Sequence, residues 1–312
     1  MTDVGCPRQT GGVPELPEVH ALAADLDGRL GGHVVDRLDV TSFAALKTFD
    51  PPVSALHGMR VEGVGRHGKF LDLTLRAEGE VHVGADATLH LIVHLARAGW
   101  IRWREAAPVP SARPRGRSAG PLAARLVLDD GSGVDITEAG TKKSLAIYLV
   151  RDPAEVPGIA RLGPDPLAPE FTEDVLAGIL SAAGRSQLKG VLRNQGLIAG
   201  IGNAYSDEIL WAAKMSPFKA ASMSPDEVHL LYEAMQRMLR EAVARADGLK
   251  ASELKAEKKS NLNVHGRFGE PCPVCGDTIR QVIYADSTFQ YCPTCQTGGK
   301  PLADRVLSRL LK

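Results

Sequence analysis

Apolar positions along this chain change rhythm twice. From Val19 to Leu30 they recur at helical spacing (Val19, Leu22, Ala23, Leu26, Leu30), which predicts a helix over about 18–30, entered through Pro14-Glu15-Leu16-Pro17-Glu18. The rhythm then shortens to alternation. Segments 33–40, 60–64, 70–75, 89–95, 124–128, 133–136 and 146–150 are short and separated by turn residues, and together they predict a β-sandwich. Between 151 and 169 five prolines (Pro153, Pro157, Pro164, Pro166, Pro169) predict a linker. Helical spacing returns from Thr172, with helices expected over 173–180, 188–193, 205–213 and 225–246, the last capped by Ser224 ahead of Pro225. No repeat at solenoid periods is visible.

Composition narrows the class. No apolar run approaches the ~20 residues of a membrane span, and the first dozen residues lack the basic start and apolar core of a signal peptide, so the expected compartment is the cytoplasm. Lys plus Arg balances Asp plus Glu at 37 each. The charge is nevertheless segregated. Residues 249–312 carry ten basic against six acidic groups, and 97–117 carry six Arg against Glu105 alone. Residues 151–248 run the other way, ten against thirteen. A local phosphate-tracking surface is therefore compatible with a neutral total. The Pro-, Arg- and Gly-rich stretch 106–121 reads as a basic loop.

Three motifs carry chemistry. Cys272-Pro-Val-Cys275 and Cys292-Pro-Thr-Cys295, sixteen residues apart, supply four thiolates at the spacing of a closed tetrahedral site, for which zinc is the default metal; Cys6 is left over. Such a site holds a fold together and does not activate water. Leu197-Ile-Ala-Gly-Ile-Gly-Asn-Ala-Tyr205 is a glycine turn opening a helix, able to bring backbone N–H groups and Asn203 to a phosphate, or to serve as a plain helical hairpin. Gly65-Arg-His-Gly-Lys69 presents Lys69 at a strand start, which alone would be a solvated hairpin lysine.

Taken with Pro14-Glu15, these residues resemble the formamidopyrimidine-DNA glycosylase / endonuclease VIII family from Pro14 to about Thr297. The resemblance implies a multidomain α+β protein: an N-terminal catalytic β-sandwich over 14–150, a linker over 151–169, a helical helix–two-turn–helix domain over 170–262, and a C-terminal zinc ribbon with a basic helix over 263–312; residues 1–13 read as a disordered lead or a misassigned start. It implies base-excision repair by a bifunctional glycosylase and AP lyase acting on damaged double-stranded DNA, as a nucleoid-associated monomer with one structural zinc ion. The catalytic residues it implies are Pro14 (amine nucleophile), Glu15 (acid/base) and Lys69, with Glu18 in support. Lys189, Asn203, Arg97, Lys142, Lys143 and Arg267 are the expected DNA contacts, and Cys272, Cys275, Cys292 and Cys295 the metal ligands.

Four features depart from the family pattern. An internal proline nitrogen is a tertiary amide and cannot attack C1′, so the reading expects the working chain to start at Val13, with that initiator residue removed. Arg97 follows His94-Leu95-Ala96 where the family places Met, and Glu138–Ser144 replaces an Arg-x-Phe wedge; Arg97 or Trp100 is the expected substitute. Ser287 stands where a phosphate-gripping Arg is usual, leaving Arg267 or Arg280 to compensate. Residues 300–312 add a short basic amphipathic helix. Two other readings remain open: a non-catalytic binder of damaged DNA with the same fold, and a zinc-ribbon scaffold for RNA or protein.

Overall fold

The computed structural model describes residues 13–77, 88–106, 122–139, 141–284 and 287–302. The lead before Val13 with its Cys6, the basic loop expected beyond Ala106 and the terminal helix expected beyond Leu302 lie outside them. The first half of the chain runs α1 (Leu16–Leu30), β1 (Val35–Val40), β2 (Met59–His67), β3 (Phe70–Ala77), β4 (Thr88–His94), β5 (Gly99–Arg104), β6 (Leu122–Leu128), β7 (Gly133–Glu138) and β8 (Ala146–Val150). The strands form two antiparallel four-stranded sheets in the orders β2-β3-β4-β8 and β1-β6-β7-β5. Their facing side chains (Leu71, Leu73, Leu75, Leu89, Leu91, Leu126, Ile136, Ile147) close one core with Leu22, Leu26 and Leu30 of α1. The β-sandwich expected from the alternation is present.

Strand β4 carries Leu91-Ile92-Val93 without alternation because it is covered on both sides. Ile92 points away from the sandwich core and meets Val150 and Val156. The proline-rich segment 151–169 is thus a packed strap. Val156 is fully buried, Asp165 pairs with Arg66 at 2.5 Å, and Gly163 N–H donates to Gln195 O at 2.8 Å.

The second half comprises α2 (Glu173–Ala183), α3 (Leu188–Arg193), α4 (Asn203–Ala212), α5 (Pro225–Ala246) and α6 (Leu254–Asn261), then β9 (Arg280–Tyr284), β10 (Ser287–Tyr291) and α7 (Pro293–Thr297). Leu176, Leu188, Leu192, Ile209, Leu231, Met235 and Leu239 form a separate helical core. Ser224 caps α5, its Glu227 reaching back to the Ser224 N–H. After α5 the chain returns to the sandwich: Ala246, Ala251 and Leu254 belong to the first core, and Trp100 Nε1 donates to Ala251 O at 3.1 Å. Trp100 is therefore part of the core and does not serve as a wedge into DNA.

The four-cysteine region docks on α4. Trp211 packs on Val264, Ile279 and Cys292. The Glu208 carboxylate accepts the N–H groups of Asn263, Val264 and His265 at 2.8–2.9 Å, and Gln296 Nε2 donates to Met215 O at 2.8 Å. Helix α4 is the axis on which sandwich, helical domain and ribbon meet.

Candidate active site

The segment before α1 is held by the turn before α4. Leu16 N–H donates to Gly200 O at 3.0 Å. The buried Glu15 carboxylate accepts three backbone N–H groups: Gly202 at 2.7 Å, Ala204 at 2.8 Å and Tyr205 at 3.2 Å. This is an anion seated on a helix N-terminus, where unpaired N–H groups and the helix dipole favour negative charge. The turn has the glycines this requires. Gly200 adopts φ +87°, a Cβ there would collide with the Leu16 side chain, and a Cβ on Gly202 would enter the Glu15 carboxylate. Gln195 braces the turn from within, donating to Ile201 O at 2.7 Å and accepting from Gly200 N–H at 2.9 Å.

Lys69 reaches the same place from the two-residue turn between β2 and β3, where Gly68 takes φ +54°. Its Nζ donates to Ile201 O at 2.9 Å. Burial pushes its pKa down against the attraction of Glu15. Burial alone would raise Glu15, but Lys258, Lys69 and the Ala204 N–H outweigh it, and the net pKa is lowered. Glu15 is held as a carboxylate.

Glu18, one turn into α1, is buried as well. Its Oε2 accepts the Glu15 N–H at 2.8 Å and Lys258 Nζ at 2.7 Å, and its Oε1 accepts Tyr205 Oη at 2.8 Å. Burial pushes Glu18 up against the pull of Lys258, while Lys258, despite its own burial, is raised by Glu18 and Glu15 and stays charged. Lys258 Nζ also donates to Val13 O at 3.0 Å. Pro14, Glu15, Glu18 and Lys69 thus come together, as the sequence led one to expect. Tyr205 and Lys258 complete the cluster. Lys258 was hidden among Lys255, Lys258 and Lys259, where no spacing marks one lysine as buried; Tyr205 lay inside the turn motif with no signal tying it to Glu18.

One expected DNA contact is corrected, and a second is bonded within the protein. Lys189 is fully buried, its Nζ bonded to Asp207 Oδ1 at 2.5 Å, Ser206 Oγ at 2.8 Å and Asn203 O at 3.1 Å, with His265 on the other Asp207 oxygen at 2.8 Å. Its charge is spent inside the protein. Arg267 is partly exposed and donates Nε to Leu262 O, Nη2 to Ser260 O at 3.1 Å and Nη1 to Glu270 at 3.0 Å. Asn203 donates Nδ2 to Thr288 O at 2.9 Å, tying α4 to the β9–β10 hairpin, and its buried Oδ1 has no partner among the described residues. Arg97, Lys142 and Lys143 are exposed. They lie at one end of the sandwich, because β4 and β8 pair as His94↔Ala146 and the Ala139 N–H donates to Ala98 O at 3.0 Å. Lys69 belongs to the same end, since Phe70 pairs with His94. Buried Glu138 shapes the loop, accepting the N–H groups of Ser144 at 2.5 Å and Leu145 at 2.8 Å.

The four cysteines converge. Cys275–Cys292, Cys275–Cys295 and Cys272–Cys295 sulfurs are 3.4, 3.5 and 3.9 Å apart, and all four lie within 4.8 Å of one another. A tetrahedron with metal–sulfur bonds of about 2.3 Å has edges of about 3.8 Å, so the cluster fits one metal ion.

Known proteins match this chain in sequence and fold. The formamidopyrimidine-DNA glycosylase N-terminal domain matches residues 13–139 and the formamidopyrimidine-DNA glycosylase H2TH domain residues 162–253. The formamidopyrimidine-DNA glycosylase of Symbiobacterium thermophilum is 36% identical over 298 residues, covering 91% of this chain and 89% of that protein. An uncharacterized formamidopyrimidine-DNA glycosylase-like protein of Mycobacterium tuberculosis is 56% identical over 160 residues, 51% of this chain and 99% of that protein. Among solved structures, MutM (Fpg) of Thermus thermophilus superposes with TM-score 0.73 at 30% identity, covering 92% and 100% of the two chains. Lactococcus lactis Fpg bound non-covalently to AP-site DNA gives 0.74 at 26%, covering 91% and 99%.

Proposed function

Because the chain belongs to the formamidopyrimidine-DNA glycosylase family, we propose that it is a base-excision repair glycosylase with AP lyase activity, acting on damaged double-stranded DNA through a Schiff base at Pro14. The observation that carries this reading is the seating of Glu15, the residue next to Pro14, on the N-terminus of α4 with Lys69 beside it. The neutral secondary amine attacks C1′ of a flipped nucleotide. The C1′–base bond breaks, and the base leaves with the bonding pair and takes up a proton. Glu15, held ionised, receives the proton that the amine loses on forming the C–N bond and returns it to O4′ as the sugar ring opens to the iminium. Loss of a C2′ proton then expels the 3′ phosphate, and water hydrolyses the remaining iminium to free the amine.

Lys69, Arg97, Lys142 and Lys143 supply positive charge at one end of the sandwich, where the DNA backbone would run. Cys272, Cys275, Cys292 and Cys295 hold one zinc ion, which keeps the β9–β10 hairpin folded against α4 and takes no part in the chemistry. The protein acts as a monomer in the cytoplasm at the nucleoid; among the described residues no helix is long and apolar enough to cross a membrane.

A second reading, damaged-DNA binding without catalysis, is favoured by one observation. With Val13 attached, the Pro14 nitrogen is an amide, and the Val13 carbonyl is bonded to Lys258. Borohydride trapping on abasic-site DNA separates the two. The 312-residue chain is compared with one beginning at Pro14, which retains every described element. Covalent capture by the shorter chain alone is expected; capture by neither leaves the binding-only reading.

A further inference from the structure

Helix α6 contributes two buried side chains, Leu254 and Lys258. Leu254 anchors the helix in the sandwich core. Lys258 projects to the start of α1, where its Nζ lies 2.7 Å from Glu18 Oε2, 3.0 Å from Val13 O and 4.9 Å from the centre of the Tyr205 ring. The two bonds C=O and C–N separate Val13 O from the Pro14 nitrogen by at most about 2.6 Å, which puts the ammonium within about 5.6 Å of that nitrogen. The same Glu18 oxygen accepts the N–H of Glu15, so one carboxylate ties Lys258 to the residue that follows Pro14. The ammonium is buried and fixed: it donates to Glu18 and to Val13 O, and its charge also faces the Tyr205 ring.

We propose that Lys258 is a positioning residue for the Pro14 amine, fixing its place through Glu18 and keeping it in the neutral, nucleophilic form by its own positive charge. The inference rests on the Schiff-base reading above. The charged and titratable groups that face this spot are Glu15 just before α1, Glu18 from α1, Lys69 from the β2–β3 turn, Arg193 from α3, Tyr205 from α4, Glu257 from α6 and His265 from the ribbon entry. The Glu15 and Glu18 carboxylates favour a protonated amine, and Lys258 and Lys69 oppose it. Removing Lys258 leaves Glu18 unbalanced, so the amine holds its proton to higher pH.

The test follows borohydride trapping from about pH 5 to 9, a range that brackets an ordinary terminal amine, in chains that begin at Pro14. Lys258→Met is expected to move the midpoint of trapping upward by about one pH unit, a loss of roughly tenfold below the midpoint that recovers in alkali. Lys258→Arg keeps the charge and the unshifted midpoint. Lys258→Gln, which keeps a donor towards Glu18 without the charge, moves the midpoint up as well, and it decides the matter if Lys258→Met does not fold. A uniform fall in yield with unmoved midpoints in the folded variants would reduce Lys258 to a packing role and overturn the proposal. Absence of trapping in the parent chain beginning at Pro14 would refute the Schiff-base reading itself, and this inference with it.

Discussion

A methyl group added at Gly202 would stand 2.4 Å from the carboxylate carbon of Glu15. The helix cannot move away, because its N–H groups are what hold that carboxylate. Gly202→Ala should therefore cost about 1–3 kcal/mol and abolish trapping on abasic DNA. The comparison is Gly178, inside α2, where an added Cβ meets no atom within 4 Å; Gly178→Ala should stabilise by about 0.5–1 kcal/mol. Denaturant midpoints of the two variants check the pair. The turn glycines were legible in the sequence as a turn that could face an anion. Which anion they face was not, since the carboxylate comes from 187 residues away and no local pattern records a partner at that distance.

Between elements, the decisive interaction is a buried charge pair joining α3 to α4. Lys189→Ala would leave Asp207 buried with only His265 to answer it, and should cost about 3–5 kcal/mol of stability. Lys142→Ala and Lys143→Ala, in the exposed loop before β8, should leave stability unchanged. Each should lower DNA affinity and reduce the salt dependence of binding by about one charge. Thermal unfolding and binding titrations at several salt concentrations separate the two behaviours. Sequence periodicity located α2, α3, α4, α5 and most strands because each buries one face. It missed β5, whose Trp100 and Ile101 are buried on successive positions because residues 246–254 cover the second face. It also missed α6, where burying only Leu254 and Lys258 leaves a run that reads as solvated charge.

At the scale of the molecule, the four-cysteine ribbon is coupled to the site through α4. Asn203 holds Thr288 O, and Glu208 gathers the 263–265 backbone. Metal analysis should find one zinc per chain, and chelation or Cys275→Ser should release the hairpin, lower DNA affinity at least about tenfold and spare the sandwich core. Circular dichroism with DNA titration before and after zinc restoration checks this. The seat of Glu15 has a further consequence for the family. It closes only when residues 187 positions apart meet. The Mycobacterium tuberculosis relative corresponds, over nearly its whole length, to 160 residues of this chain. No continuous stretch of that length contains both Glu15 and Gly202. The seat is a lock cut in two pieces, and a half-length polypeptide can inherit the bolt or the keeper, but not both.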